Sequence, residues 1–125
     1  MANISIKRVY EAIAADDGLR ILVDRLWPRG LKKEKAGVDL WLKNIAPSHE
    51  LRKWFRHEAQ KFPEFQQRYL RELREDDVKS QLVDELCELA QTRKVTLLYG
   101  AKDTVHNHAV VLQKEILHRI QSCNE

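Results

Sequence analysis

Two stretches of this sequence place opposite charges directly after an apolar, strand-like run: Leu22-Val23-Asp24-Arg25 and Leu98-Tyr99-Gly100-Ala101-Lys102-Asp103. A carboxylate next to a cation at such a point can move a proton or balance the charge of a bound ion. The second stretch is followed at once by His106, Asn107 and His108, which adds imidazoles to the set. Asp24, Asp103 and His108 are therefore the acid–base candidates. Arg25, Arg29 and Lys102 are the residues expected to hold a phosphate or carboxylate. Trp27, beside Pro28, and Asn107 complete the candidate ligand-binding residues; of the three tryptophans, Trp27 is the one expected to be partly open.

Each of these residues also has a plainer role open to it. Asp24 beside Arg25 suits an ion pair that locks a loop. Asp103 or Thr104 suits a helix cap, and His106 and His108 suit surface or packing positions. As metal ligands the two histidines are poor, because residues two apart on a helix point roughly 200° away from each other. No metal site is expected. Cys87 falls between Leu86 and Leu89 in a helical stretch, Cys123 lies near the chain end without an obvious base, and neither reads as a catalytic thiol. The sequence contains no nucleophile elbow, phosphate-binding glycine loop, dinucleotide fingerprint or zinc-protease motif, so no cofactor is assigned.

The elements that must carry these residues follow from hydrophobic spacing. Ile4, Ile6 and Val9 predict a first strand near 4–9, and Leu19 to Asp24 a buried second one, ended by Trp27-Pro28-Arg29-Gly30. The segment 38–45 fits a helix or a strand equally. Ser48 is placed to cap a helix carrying Leu51, Trp54 and Phe55. A second helix is expected from about Pro63, with Phe65, Tyr69 and Leu73 inward. A third, capped by Asp76 or Asp77, carries Val78, Leu82, Leu86 and Leu89. Val95 to Tyr99 is the clearest strand. The last helix, about 106–121, sets Ala109, Leu112, Ile116 and Ile120 on one side. These elements describe an α/β fold: a single layered domain over 1–125 with a small, partly parallel sheet flanked by helices. Strands near 20–24 and 95–99 should be parallel neighbours, so that Asp24, Arg25, Lys102, Asp103 and His108 face one crevice at their carboxyl ends.

The whole-chain properties exclude several classes. The chain has 125 residues, 22 Lys/Arg against 19 Asp/Glu, and a formal net charge of +3. That length suits one domain. No apolar run reaches the ~20 residues of a membrane span, and Met1 to Lys7 lacks the apolar core of a secretion signal. A reduced, cytoplasmic protein is expected, with no membrane partner. Basic residues concentrate at Arg25, Arg29, Lys32, Lys33 and Lys35, opposed locally only by Glu34. This cluster attracts anions or is simply a solvated loop; it is smaller than the stripe of a duplex-binding domain.

The blocks Leu22-Val23-Asp24-Arg25-Leu26-Trp27-Pro28-Arg29-Gly30, Ala46-Pro47-Ser48, Leu51-Arg52-Lys53-Trp54-Phe55, Leu97-Leu98-Tyr99-Gly100-Ala101-Lys102-Asp103 and Asn107-His108-Ala109 resemble the YeaO-like branch of the family called domain of unknown function 488. Gly100 stands where that pattern carries alanine, and Arg56 where a small residue precedes His57. The resemblance implies a compact α/β fold and a bacterial cytoplasmic setting. It implies no activity. Three functions are left open: an enzyme on a small phosphorylated or nucleotide-like substrate, a nucleic-acid-associated regulatory module, and a non-catalytic ligand-binding or interaction domain. A small anionic ligand is the expected partner. Nucleic acid is expected to bind weakly and without sequence preference at most, because the net charge is small and no basic recognition helix is visible.

Overall fold

A computed structural model describes residues 3–123. Four parallel strands form one sheet in the order β1-β4-β2-β3, with β1 at Ile4–Arg8, β2 at Leu19–Leu22, β3 at Leu40–Trp41 and β4 at Val95–Tyr99. The two strands expected to be neighbours are neighbours: Ile21 lies opposite Leu97 and Leu22 opposite Leu98, in parallel register. Every residue of β4 is buried, as a central strand covered on both faces requires. The first two strands end slightly earlier than their apolar runs suggest. The undecided segment is both short strand and turn, because Leu40–Trp41 pairs with β2 and Lys43–Ile45 then closes a 3-10 turn.

The helices are α1 (Lys33–Ala36, a single turn), α2 (His49–Phe55), α3 (Phe62–Glu75), α4 (Asp77–Thr92) and α5 (His108–Cys123). Ser48 caps α2 by accepting from the Leu51 N–H, and Asp76 caps α4 by accepting from the Lys79 N–H. Pro63 sits in the first turn of α3, where its missing donor is harmless. The inward face of α4 differs from the expected one. Val83, Leu86, Cys87 and Ala90 are buried there, whereas Val78 is 57% exposed. Starting the helix at Asp77 turns Val78 outward, so the apolar stripe begins one turn later.

The two faces of the sheet are covered in different ways. On one, Ile21, Val23, Val95, Leu97 and Tyr99 pack against α2 to α5 in a single apolar cluster. On the other, Val9, Leu22 and Leu98 are covered by Trp27, Leu31, Val38 and Trp41, all from the long connection between β2 and the end of β3. Side chains alternate along a strand, so β2 and β4 each serve both clusters. Helices thus cover one face, and the second face carries a loop with the single-turn α1. The link between β1 and β2 holds a single 3-10 turn, Ala15–Asp17. It ends in a tight turn at Gly18 (φ +67), where a Cβ would lie 2.4 Å from the Lys94 carbonyl oxygen.

Candidate functional site

The carboxyl ends of β2 and β4, the start of α5 and the end of α2 enclose a cavity of about 260 Å³. Its polar wall holds Asp24, Arg25, Arg52, His57, Asn107 and His108, and Phe55, Phe65 and Pro47 contribute to its apolar wall. This is the edge at which open parallel sheets bind ligands, because loops diverge there.

Asp24 and His108 join three elements at the cavity floor. The Asp24 Oδ2 atom accepts the Gly100 N–H at 2.8 Å, tying the end of β2 to the end of β4. His108 Nε2 lies 3.1 Å from the Val23 carbonyl oxygen and 3.2 Å from Asp24 Oδ1. Both neighbours are acceptors, so Nε2 carries the proton. The hydrogen is directed to the carbonyl, and Asp24 Oδ1 is left buried without a hydrogen-bond donor among the described residues. The Tyr69 ring meets the imidazole edge-on at 6.2 Å. Its own hydroxyl donates to the Ile45 carbonyl, and burial pushes its pKa well above the usual phenol value. Gly100 admits this close approach. A Cβ there would sit 3.0 Å from Asp24 Oδ2, tighter than ordinary contact.

Asn107 caps α5. Its Oδ1 accepts from the Val110 N–H at 3.1 Å, and its Nδ2 donates to the Asp103 carbonyl at 2.9 Å. The helix therefore starts at His108, two residues later than the spacing suggests, and the cap is neither Asp103 nor Thr104. Asp103 closes the preceding turn instead, accepting from the Val105 and His106 N–H groups and pairing with His106 Nδ1 at 2.9 Å. The backbone hydrogen bonds from His106 and Val105, then the His106 side chain, hold its carboxyl at about 2. A carboxylate stabilised so strongly in its charged form is a poor proton carrier near neutral pH.

The cations come partly from where the sequence pointed and partly from elsewhere. Arg25 donates through Nη1 to Asn44 Oδ1 (2.8 Å), and Arg52 through Nε to the Pro47 carbonyl (3.1 Å). Each bond uses one of a guanidinium's five donors and leaves the head beside the cavity. Their field reaches Lys79, whose ammonium is held below its usual pKa first by burial; Glu72 and Asp76 oppose that shift, and Arg25 and Arg52 add to it. His57 comes in on a strained turn: Arg56 (φ 50) and His57 (φ 58) are consecutive left-handed residues, a conformation costing about 1–2 kcal/mol for each non-glycine. The turn ends α2 through the Arg56 N–H to the Arg52 carbonyl and aims the chain back over the cavity.

Of the sequence-derived candidates, Asp24, Arg25, Asn107 and His108 line the cavity, whereas Trp27, Arg29, Lys102 and Asp103 do not. Trp27 belongs to the opposite face of the sheet. Its indole donates to the Leu31 carbonyl and meets Trp41 edge-on at 5.5 Å. Arg29 lies beyond it, its carbonyl accepting from the Tyr10 hydroxyl. Lys102 is exposed. The chain leaves β2 at Asp24 and folds back over the second face, carrying residues 27–29 away from the crevice. Arg52 and His57 were missed by sequence reasoning. The one available signal was their place within and just after the Leu51-Arg52-Lys53-Trp54-Phe55 block. Cys87 is buried, its thiol near the Ile116 carbonyl, and burial pushes its pKa up to about 11, so it stays protonated at neutral pH. Among the described residues, no three His, Cys, Asp or Glu side chains cluster as metal ligands would.

Residues 3–125 match the family described as the inactive DUF488-N3 subclade, DUF488-N3i. The chain belongs to that family. The DUF488-N3i assignment agrees with the relatives. The chain is 47% identical over 110 residues to the uncharacterized protein YeaO of Escherichia coli (strain K12), covering 88% of this chain and 93% of that protein. It is 41% identical over 110 residues to uncharacterized proteins of Mycobacterium tuberculosis and Mycobacterium bovis, each covered to 90%. No solved structure matches it. This DUF488-N3i member has an α/β fold, and none of its described helices is long and apolar enough to cross a membrane.

Proposed function

We propose that this protein is a ligand-binding domain that holds a small anion in the crevice between β2, β4, α2 and α5 without transforming it. The observation that supports this most directly is the wall of the crevice, where Arg25, Arg52 and His57 line one cavity whose apolar side suits the body of a small organic molecule. Asp24 and His108 are anchored to the backbone at its floor, Asp24 through Oδ2 to the Gly100 N–H and His108 through Nε2 to the Val23 carbonyl. The family's description as an inactive subclade supports the same reading. The location we propose is the bacterial cytoplasm, in keeping with the bacterial relatives.

The test is a calorimetric screen of nucleoside monophosphates and sugar phosphates, with any bound compound followed by phosphorus NMR. A binder should be recovered unchanged. Arg52→Ala should weaken it by about 10-fold or more, as expected for a charged hydrogen bond worth roughly 1.5–3 kcal/mol. Turnover of the bound compound would restore the enzyme reading. Tight, sequence-selective DNA binding at about 0.15 M salt would favour a nucleic-acid role instead.

A further inference from the structure

The anion crevice has a carboxylate in its wall, which is an unusual companion for the cations. Asp24 is only 21% exposed and lines the same cavity as Arg25, Arg52 and His57. One of its oxygens is satisfied by the Gly100 N–H. The other, Oδ1, is buried and receives no directed hydrogen bond, because the nearby His108 proton goes to the Val23 carbonyl. An acceptor left without a donor in a partly desolvated site is unfavourable. A fully ionised anion would make this worse, since it brings a second negative charge and no proton to share. An anion that keeps an O–H of its own would relieve it.

We infer that Asp24 makes the crevice selective for oxyanions that still carry a proton, with the phosphate class favoured over sulfate. The inference rests on the anion-binding reading above and names the ligand chemistry of that same site. Arg25, Arg52 and His57 would take the ionised oxygens, and Asp24 Oδ1, after a small side-chain adjustment, would accept from the remaining P–OH. Inorganic phosphate keeps at least one O–H across the neutral range, while sulfate keeps none. The two ions have nearly the same size and shape, so they differ in the one property that the carboxylate reads. A phosphate monoester loses its last proton near pH 6 and should be read in the same way.

The experiment is isothermal titration of the full chain with inorganic phosphate and with sulfate at constant ionic strength, repeated on Asp24→Asn. Phosphate should bind at least ~10-fold more tightly than sulfate to the unaltered protein, about the value of one hydrogen bond to a charged group. Asp24→Asn removes the negative charge and can turn its amide N–H toward the cavity, so sulfate affinity should rise and the preference should vanish. Methyl phosphate should bind less tightly above about pH 6 than below it, and tighter binding above that pH would overturn the role of Asp24. Equal binding of phosphate and sulfate by the unaltered protein would overturn the selectivity and leave the anion crevice standing. Failure of both ions to bind would overturn the crevice reading itself. A preference that survives Asp24→Asn would show that another group sets it. If Asp24→Asn fails to fold, the phosphate-to-sulfate ratio of the unaltered protein decides.

Discussion

The two ends of strand β2 each hold a carboxylate next to a basic group, and they treat it oppositely. At the amino end, Asp17 is closed in on every side. Lys7 reaches both of its oxygens at 3.1 Å, the Ala14 N–H donates at 3.0 Å, and Arg20 makes a short contact from a side chain that is only 4% exposed. Arg20 then fixes the loop ahead of β3 through the carbonyls of Ala36 and Gly37. At the carboxyl end, Asp24 has one oxygen bonded and the other beside a cavity, near His108 but without a directed hydrogen bond. A carboxylate whose lone pairs are all used is architecture. One left short of a donor at the open edge of a parallel sheet is where a ligand can add something.

The largest expected effect should come from the closed end. Asp17→Asn leaves Arg20 buried with its charge uncompensated and should cost about 3–5 kcal/mol in chemical denaturation. Asp24→Asn keeps an acceptor for the Gly100 N–H and should cost about 1 kcal/mol or less. If the two losses were equal, the contrast between the ends would fail.

Acid should sharpen the same contrast. Burial opposes ionisation of Asp17, but the Ala14 N–H, Lys7 and Arg20 outweigh it and hold the carboxyl below its usual pKa. Glu115, buried yet bonded to Arg74 and Arg119, behaves likewise. A depressed folded-state pKa gives stability that is complete above the unfolded value, roughly 4, and is lost as pH falls through the folded one. Denaturation midpoints should therefore hold steady down to about pH 5 and drop below about 4, with a shallower drop in Asp17→Asn.

Asn107→Ala should come next in size. It removes the α5 cap and frees the Asp103 carbonyl, for about 1 kcal/mol of stability in thermal or denaturant unfolding. Lys102→Ala should do least. The residue is exposed and off the cavity wall, so stability should change by less than ~0.5 kcal/mol and phosphate affinity should not move. A clear loss of affinity in Lys102→Ala would return that residue to the site.

Much of this architecture is legible along the chain because it is encoded by local pattern. The apolar runs at Leu19 to Val23 and Val95 to Tyr99 could be stable only as buried neighbours, and Ser48 and Asp76 cap helices by short-range geometry. That is enough to bring Asp24 and Arg25 to the same edge as Asn107 and His108 across some eighty residues of sequence. What the pattern does not encode is the direction in which a loop leaves a strand. Residues 27–29 follow Asp24 immediately, yet the chain turns there onto the opposite face, and Trp27 seals a second apolar cluster. Arg52 and His57 reach the cavity only because α2 packs beside α3 and ends in two left-handed residues. The sequence by itself determined most of the elements, the parallel pairing of β2 with β4 and the carboxylate at the strand end. Only the tertiary structure decided which cations face that carboxylate, because side chains on separate elements meet through packing, and packing has no signature in the spacing of residues along one element.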